Sequence, residues 1–259
     1  MASALERQTS VLPPQPEEET MLSANPLLTQ FQKTRSLSQA ETAALSKVPL
    51  RRVALRPEEP MVRAGDHTTS CILVLDGMLA TSKVDGAGRR QITAIHIAGD
   101  FPDLMSLHLD LADSDIRAVA KAEVASINHD HLRRLALDHP NLAAKLWRTV
   151  LVDAAISREW VLNLGQRESM TRMAHVLCEI LLRMQVAGLA NGNTCRMPLT
   201  QVNLSEVTGM SLVHVNRVLQ QLRRKDLITL AKGQLDVLNW AGLVKVGDFS
   251  AEYLHIVKH

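Results

Sequence analysis

The chain has 259 residues, of which 46% are hydrophobic and 22% are charged, and its formal net charge at pH 7 is +2. This composition excludes a mainly disordered chain, and the length allows one large domain or, as we expect, two smaller domains that each bury a core. Because the net charge is small, any nucleic-acid site must be a local patch of basic side chains rather than the bulk charge of the molecule.

The N-terminal segment and the cysteines indicate the compartment. Residues 1–22 are rich in Pro, Glu and Ser and lack the apolar run of a signal peptide, so we predict a disordered tail. Cys71, Cys178 and Cys195 are odd in number and far apart, which is not a disulfide framework. No stretch approaches the roughly 18 consecutive apolar residues of a membrane span. We therefore expect a cytoplasmic protein without a membrane partner.

The first folded part is predicted to contain a short helix and then strands. Ser38 and Glu41 have the spacing of a capping box in front of a short helix. Between residues 49 and 127, short apolar runs broken by Gly, Asp and Pro recur roughly every 8 to 12 residues, which is typical of antiparallel strands in a sandwich or barrel. The sequence VDGAGR at 84–89 is the clearest hairpin tip.

A long helix is predicted after His139 and Pro140, because residues 141–164 contain neither Gly nor Pro. Starting at Ala143, residues on one face recur at alternating steps of three and four, the spacing of a seam between paired helices. The rest of this predicted seam consists of Leu146, Val150, Asp153, Ser157, Trp160 and Leu164. The alternative is a long core helix that covers the strands. Gly165 is expected to end the helix before a second, Met-rich one.

Residues 197–228 predict a helix-turn-helix. Thr200 can cap a helix at 201–208, Gly209 permits the positive φ of a sharp turn, and Ser211 can cap the next helix. On that second helix, one face is apolar and the opposite face is polar and basic. The apolar face consists of Val215, Val218, Leu219 and Leu222, and the opposite face of Val213, Asn216, Arg217, Gln220 and Arg224.

Such a second helix can lie in the major groove of double-stranded DNA, with its first turns at the base edges. Arg can bind guanine bidentately, Asn or Gln can pair with adenine, and Val can touch a thymine methyl group. The predicted base-reading residues are Val213, His214, Asn216, Arg217 and Gln220. The predicted phosphate-binding residues are Thr200, Gln201, Ser211, Arg224 and Lys232, the last in a wing of two short strands. The alternative is that this charged face is only solvated.

Several motifs together resemble the Crp/Fnr family of bacterial transcription regulators, over roughly residues 25–245. They are RAGD, LVLDGML, HIAGDF at 96–101, the long helix from about residue 141, and LTQVNLSEVTGMSLVHVNRVLQQLRRKDLI. The resemblance implies an α+β fold, in which an N-terminal antiparallel β-roll of the jelly-roll-like cyclic-nucleotide-binding type precedes a long dimerisation helix and a C-terminal winged helix-turn-helix. The implied ranges are 23–138 for the β-roll, 139–165 for the helix, 166–245 for the DNA-binding domain and 246–259 for a C-terminal tail.

The resemblance also implies a function. Such proteins act as homodimers on palindromic promoter sites, with RNA polymerase as a further partner when they activate transcription. The family's base-contacting positions fall on Val213, Asn216 and Arg217 of this chain. Because the family often has Glu where Val213 stands, only Arg217 keeps the family's chemistry.

The implied effector pocket departs from the family pattern. Members that bind cyclic nucleotide have a Gly-Glu pair after the GDF-like turn and later an Arg beside Ser or Thr. Here Pro102, Asp103 and Leu104 follow GDF, and Arg117 stands beside Ala118. Since a buried cyclic phosphate needs a cationic partner, we expect a degenerate pocket that does not bind cyclic AMP. It comprises Asp100, Phe101, Asp103, Leu104 and Arg117.

Other functions are less consistent with the sequence. A four-thiolate iron–sulfur cluster needs four cysteines, and the chain has 3. A haem held by Cys71 and His96, or a metal at residues 128–131 with His139, would use residue types that are more often structural. We predict no cofactor, no metal and no enzymatic activity. Two alternatives stay open: a small-molecule signalling module whose C-terminal helices contact a partner, and a metal-dependent cupin-like enzyme.

Overall fold

The structure is a computed structural model, and it describes residues 25–32 and 37–256. The predicted tail at 1–22 lies outside the described residues. Helix α1 spans Pro26–Gln32 and α2 spans Gln39–Ser46. The capping box of α2 is present, because the Glu41 amide donates to Ser38 Oγ over 3.1 Å and the Ser38 amide donates to the Glu41 carboxylate over 2.7 Å.

The N-terminal domain is a β-roll made of two antiparallel sheets, as predicted. Its strands are β1 (Arg51–Leu55), β2 (Pro60–Val62), β3 (Ser70–Asp76), β4 (Met78–Val84), β5 (Arg90–Ile97), β6 (Asp115–Ala118) and β7 (Ala122–Asn128). One sheet has the order β1-β7-β3 and the other β2-β6-β4-β5. The predicted hairpin tip connects β4 to β5, and Ile72, Leu79 and Val124 lie buried between the sheets.

Two helices follow the roll. Helix α3 spans His129–Asp138, and its N-cap Asn128 accepts a hydrogen bond from the Asp130 amide. Helix α4 spans Pro140–Gln166, 27 residues or about 40 Å at 1.5 Å per residue. The helix ends one residue after the predicted Gly165, at Gln166, and the next residue, Arg167, takes an extended conformation with ψ 139°.

The C-terminal domain is a winged helix-turn-helix. Its elements are α5 (Ser169–Val186), β8 (Ala190–Asn191), β9 (Thr194–Arg196), α6 (Gln201–Thr208), α7 (Leu212–Arg224), β10 (Ile228–Ala231), β11 (Gln234–Val237) and α8 (Trp240–Gly247). Buried side chains of α5, α6 and α7, among them Leu177, Leu204 and Leu219, form one core. Strands β10 and β11 form the predicted wing.

The predicted seam on α4 is partly covered by the chain's own domains, because that face is turned toward them. Leu146 and Trp160 are only 5% and 4% exposed. Leu146 packs with the β-roll, and Trp160 packs with the C-terminal domain. Val150, Asp153 and Leu164 are partly buried, and the exposed Ser157 donates to the Asp153 carbonyl oxygen.

A neighbouring stripe of α4, one residue further along, is the one left uncovered. Trp147, Leu151, Val161 and Leu162 are 60%, 52%, 71% and 45% exposed. A groove of about 850 Å³ adjoins the start of this exposed stripe, between α4, α3 and a 3₁₀ turn at Leu104–Leu107. Both faces of α4 are apolar at helical spacing, and only tertiary contacts decide which one the chain buries.

The segment predicted as a C-terminal tail is partly folded. Helix α8 continues to Gly247, and a 3₁₀ turn at Glu252–Leu254 packs back on the domain. Leu254 is buried, and the Tyr253 hydroxyl donates to the Glu179 carboxylate over 2.8 Å. In the part of the chain that the structure describes, no helix is long and apolar enough to cross a membrane.

Candidate DNA-binding site

The turn between α6 and α7 is fixed by local interactions. Thr200 caps α6, since its hydroxyl accepts from the Asn203 amide over 3.1 Å while Asn203 Oδ1 accepts from the Thr200 amide over 2.9 Å. Gly209 ends α6 in the left-handed region at φ +64°, where a side chain would be strained. Ser211 Oγ then accepts from the His214 amide at the start of α7. The predicted cap, turn and second cap are all present.

Helix α7 has the two faces that the sequence predicts. Val215, Val218, Leu219 and Leu222 are at most 2% exposed and pack in the core of the C-terminal domain. On the opposite side, Val213 is 81% exposed, and Asn216, Arg217 and Gln220 are exposed as well. Burying one face against α5 and α6 therefore presents the other to solvent as a continuous polar and basic surface.

Arg217 is oriented by its neighbour one helical turn earlier. Its Nη2 donates to His214 Nδ1 over 2.7 Å, so the half-buried imidazole holds the guanidinium against the helix. The two predicted base-reading residues thus act as a pair. This contact was not deduced from the sequence, although the spacing of three residues on a helix is a signal for it.

The predicted phosphate-binding residues lie at three places around α7. Thr200, Gln201 and Ser211 are exposed at the starts of α6 and α7, where free backbone amides favour anions. Arg224 is exposed in the last turn of α7.

The third place is the tip of the wing, which carries Lys232. Lys232 and Gly233 have φ +50° and +74°, the left-handed pair of a two-residue hairpin turn. Arg223 donates to the Leu230 carbonyl oxygen over 2.9 Å and so attaches α7 to the wing, a contact that the sequence pattern does not predict. Its place at the boundary between the two faces of α7 is a weak sequence signal for such a role.

Two exposed apolar residues beside the polar face of α7 are not predicted by the sequence pattern. Leu212, the first residue of α7, and Val202 on α6 are each 47% exposed. An apolar side chain at the start of a recognition helix can contact a thymine methyl group. On α6 the capping residue Asn203 is buried, and its neighbour Val202 faces solvent.

The residues of the candidate effector pocket are buried or form hydrogen bonds with other residues of the protein. Phe101 and Leu104 are buried, and Asp103 accepts a hydrogen bond from the Ile72 amide over 2.7 Å. Burial raises the pKa of Asp103 to about 7. Arg117, on β6, donates to Asp115 over 2.9 Å. The fifth residue, Asp100, accepts from Arg183 Nη2 over 2.6 Å.

The three thiols and His96 lie in the protein core. Burial raises the pKa of the Cys71 and Cys178 thiols to about 12, and that of the Cys195 thiol to about 11. Burial lowers the pKa of His96 to about 4, and its Nε2 lies 2.8 Å from the Thr81 hydroxyl. Across residues 25–32 and 37–256, three or more His, Cys, Asp or Glu side chains nowhere form a cluster suited to a metal.

Comparison with known proteins agrees with this arrangement. Residues 52–139 match the cyclic nucleotide-binding domain, and residues 171–246 match the Crp-like helix-turn-helix domain. The fumarate and nitrate reduction regulatory protein of Vibrio cholerae is 22% identical over 217 residues, which cover 84% of this chain and 86% of that protein. The nitrogen fixation regulation protein FixK of Bradyrhizobium diazoefficiens is 25% identical over 194 residues, covering 73% and 78%.

A solved structure shares the fold. FixK2 from Bradyrhizobium japonicum superposes with a TM-score of 0.69 and 22% identity, covering 79% of this chain and 100% of that one. Because the two matched domains occur in this order on either side of α4, the chain belongs to the Crp/Fnr family of DNA-binding transcription regulators.

Proposed function

We propose that the protein regulates transcription as a homodimer that reads a palindromic promoter site with helix α7. The observation that carries this proposal is the two-sided burial of α7, in which Val213, Asn216, Arg217 and Gln220 lie opposite a fully buried apolar face. Arg217 would bind guanine, Asn216 and Gln220 would pair with adenine, and His214 would hold Arg217 or contact a phosphate.

The dimer is proposed to form along the uncovered stripe of α4 rather than along the seam first predicted. Trp147, Leu151, Val161 and Leu162 are exposed apolar side chains that recur along one face at helical spacing. Several exposed apolar side chains on one helix face are typical of an interface. A second copy of α4 would cover the stripe, and its two-fold axis would place two α7 helices on half-sites about one DNA turn apart.

The phosphate contacts would fix the register of each half-site. Thr200, Gln201 and Ser211 can donate to the DNA backbone from two helix starts, and Arg224 and Lys232 can add charge from the end of α7 and the wing. Because these contacts are electrostatic, the affinity should fall as the salt concentration rises.

The residues of the candidate effector pocket do not fit a cyclic nucleotide. A cyclic phosphate is an anion, and the nearest counterpart of the family's arginine, Arg117, is paired with Asp115. Asp103, after β5, adds a buried carboxyl group whose ionised form would oppose an anionic ligand. We therefore propose that the β-roll responds to a signal other than cyclic AMP, or serves as a scaffold.

The remaining proposals concern location and partners. A protein that regulates transcription in a bacterium would work in the cytoplasm, with RNA polymerase as a partner if it activates. The relatives are named as regulators or activators, which supports a binding protein rather than an enzyme.

A selection from random duplex DNA, at moderate salt and with the dimer confirmed by sedimentation, tests the proposal. We expect the dimer to enrich one sequence and to bind it in preference to an excess of bulk DNA. If the dimer retains all sequences equally, the regulator function is contradicted, and the C-terminal helices would instead serve contact with a protein partner.

A further inference from the structure

The largely buried Arg183 connects the β-roll to the DNA-binding domain. Arg183 lies on α5, and its side chain is 13% exposed. Its Nη2 donates over 2.6 Å to Asp100 Oδ2, which lies on the turn that follows β5. The same oxygen of Asp100 accepts the Ile97 amide over 2.8 Å, so one carboxylate both closes the turn and holds the arginine.

Other carboxylates complete the surroundings of Arg183. Its Nη1 lies 3.4 Å from Glu179, which is 1% exposed and also accepts hydrogen bonds from Trp160 and Tyr253. Asp153 of α4 is close enough for its charge to favour the charged form of Arg183. Arg183 is therefore a junction at which the β-roll, the long helix and the DNA-binding domain meet.

The other end of β5 holds the DNA-binding domain at a second place. Arg90 forms an ion pair with Glu206 of α6 over 2.7 Å. Gln91 donates to the carbonyl oxygens of Glu206 and Val207, at the end of α6. The start of β5 is thus attached to α6, and the turn after β5 is attached to α5. Since α5, α6 and α7 share one core, these two attachments fix the orientation of α7.

These contacts with β5 leave the proposed DNA-binding surface of α6 and α7 exposed. Val213 is 81% exposed, and Gln201, Ser211 and Arg217 are exposed in the same arrangement. A contact that masked the DNA-binding surface would bury some of these side chains. The contact with β5 therefore orients the reading helix and does not block it.

We propose that Arg183 is a positioning residue whose ion pair with Asp100 couples the turn after β5 to the orientation of α7, and that the intact pair holds α7 ready to bind DNA. This inference rests on the proposed function. A signal in the β-roll that moves the turn would release Arg183 and let the DNA-binding domain rotate on α4. Binding both half-sites would then cost more entropy, because two freely rotating DNA-binding domains must be oriented at once. Binding to one half-site would be unchanged.

The test uses the full chain, an operator obtained by selection, and the same operator with one half-site scrambled. Asp100→Asn removes the charge but keeps an oxygen for the Ile97 amide, so the turn is retained. Asp113→Asn is the matched control, because Asp113 lies on the same domain and forms an exposed ion pair with Lys83 at 3.0 Å. Fold is monitored by thermal melting.

We expect Asp100→Asn to weaken binding to the two-half-site operator by about fivefold or more, a typical coupling between sites, and to change single half-site binding by less than about twofold. Asp113→Asn should change neither. Arg183→Met should behave like Asp100→Asn, and Arg183→Lys should recover much of the loss because it keeps the charge.

Three results would overturn the inference. They are equal affinity of the Asp100→Asn and Asp113→Asn variants for the full operator, tighter binding by Asp100→Asn, and equal loss on one and two half-sites. Equal loss in the Arg183→Lys and Arg183→Met variants would likewise exclude a role for the charge. If the unmodified chain shows no sequence preference, the proposed function fails instead.

Discussion

At the scale of single residues, Arg217 is the side chain on which sequence and structure agree most closely. Its exposure on α7 follows from the buried face opposite, which the sequence pattern predicts. The structure adds His214, whose Nδ1 accepts from the guanidinium over 2.7 Å. A guanidinium held in place loses less freedom when it binds a base.

Replacing Arg217 with Ala should weaken binding to the selected operator by about 1 to 3 kcal/mol and relax the preference at one base pair of each half-site. The reason is the loss of a bidentate contact to guanine. Competition with operators changed at each position measures the effect. Arg134→Ala, an exposed arginine on α3, is the control and should bind normally. A uniform loss over all sequences would show instead that Arg217 contacts a phosphate.

Asp153 gives a prediction on stability and pH. Burial, followed by the nearby charge of Asp100, raises the pKa of Asp153 to about 7, while Arg183 opposes the shift. In the unfolded chain this carboxyl group has its ordinary pKa, about 4, and therefore releases its proton at lower pH. The free energy of unfolding should thus lose this contribution progressively as the pH rises from about 4 to about 7.

In the Asp153→Asn variant this contribution is absent. The difference in stability between the variant and the unmodified protein, measured by urea unfolding, should move in favour of the variant between pH 5 and pH 8. Using the difference removes the contribution of Asp103, whose pKa is also about 7. An unchanged difference across this range would contradict the raised pKa of Asp153.

The role of Arg183 shows what the residue pattern cannot predict. Its partner Asp100 is 83 residues away in the chain, and each residue alone has the sequence context of an ordinary surface charge. By contrast, the Thr200 and Ser211 caps depend on neighbours within three residues, and they could be predicted from the sequence.

At the scale of elements, the length of α4 is determined by its own sequence, whereas its buried face is determined by tertiary contacts. Its length follows from the absence of Pro and Gly between residues 141 and 164. Its buried face does not, because Leu146 and Trp160 on one stripe and Trp147 and Val161 on the next are equally apolar. Packing against the β-roll and α5 decides between them, and the residue pattern of α4 does not show which stripe these partners cover.

Val161→Glu should dissociate the proposed dimer. Val161 is 71% exposed in one copy, and a second copy of α4 would bury the introduced charge without a partner, at a cost of about 3 kcal/mol. Sedimentation equilibrium measures the change in dimer Kd. Val84→Glu, at the β4–β5 hairpin tip and 55% exposed, is the matched control. If both variants sediment alike, the dimer does not form along this stripe.

At the scale of the whole molecule, the β-roll matches the cyclic nucleotide-binding domain, and the proposal is that its side chains do not suit that ligand. A ligand that binds only the folded state stabilises it by RT ln(1 + c/Kd) at free ligand concentration c and therefore raises the melting temperature. Cyclic AMP should therefore leave the melting temperature unchanged, as AMP does. A rise with cyclic AMP alone would contradict the proposed loss of the pocket.

The central proposal is that two copies of α7, related by a two-fold axis, read DNA together. Sequencing the duplexes that the full-length dimer selects from a random pool tests it most directly. We expect an inverted repeat with half-sites about one DNA turn apart, near 34 Å. A single unrepeated motif, or no enriched sequence at all, would contradict it.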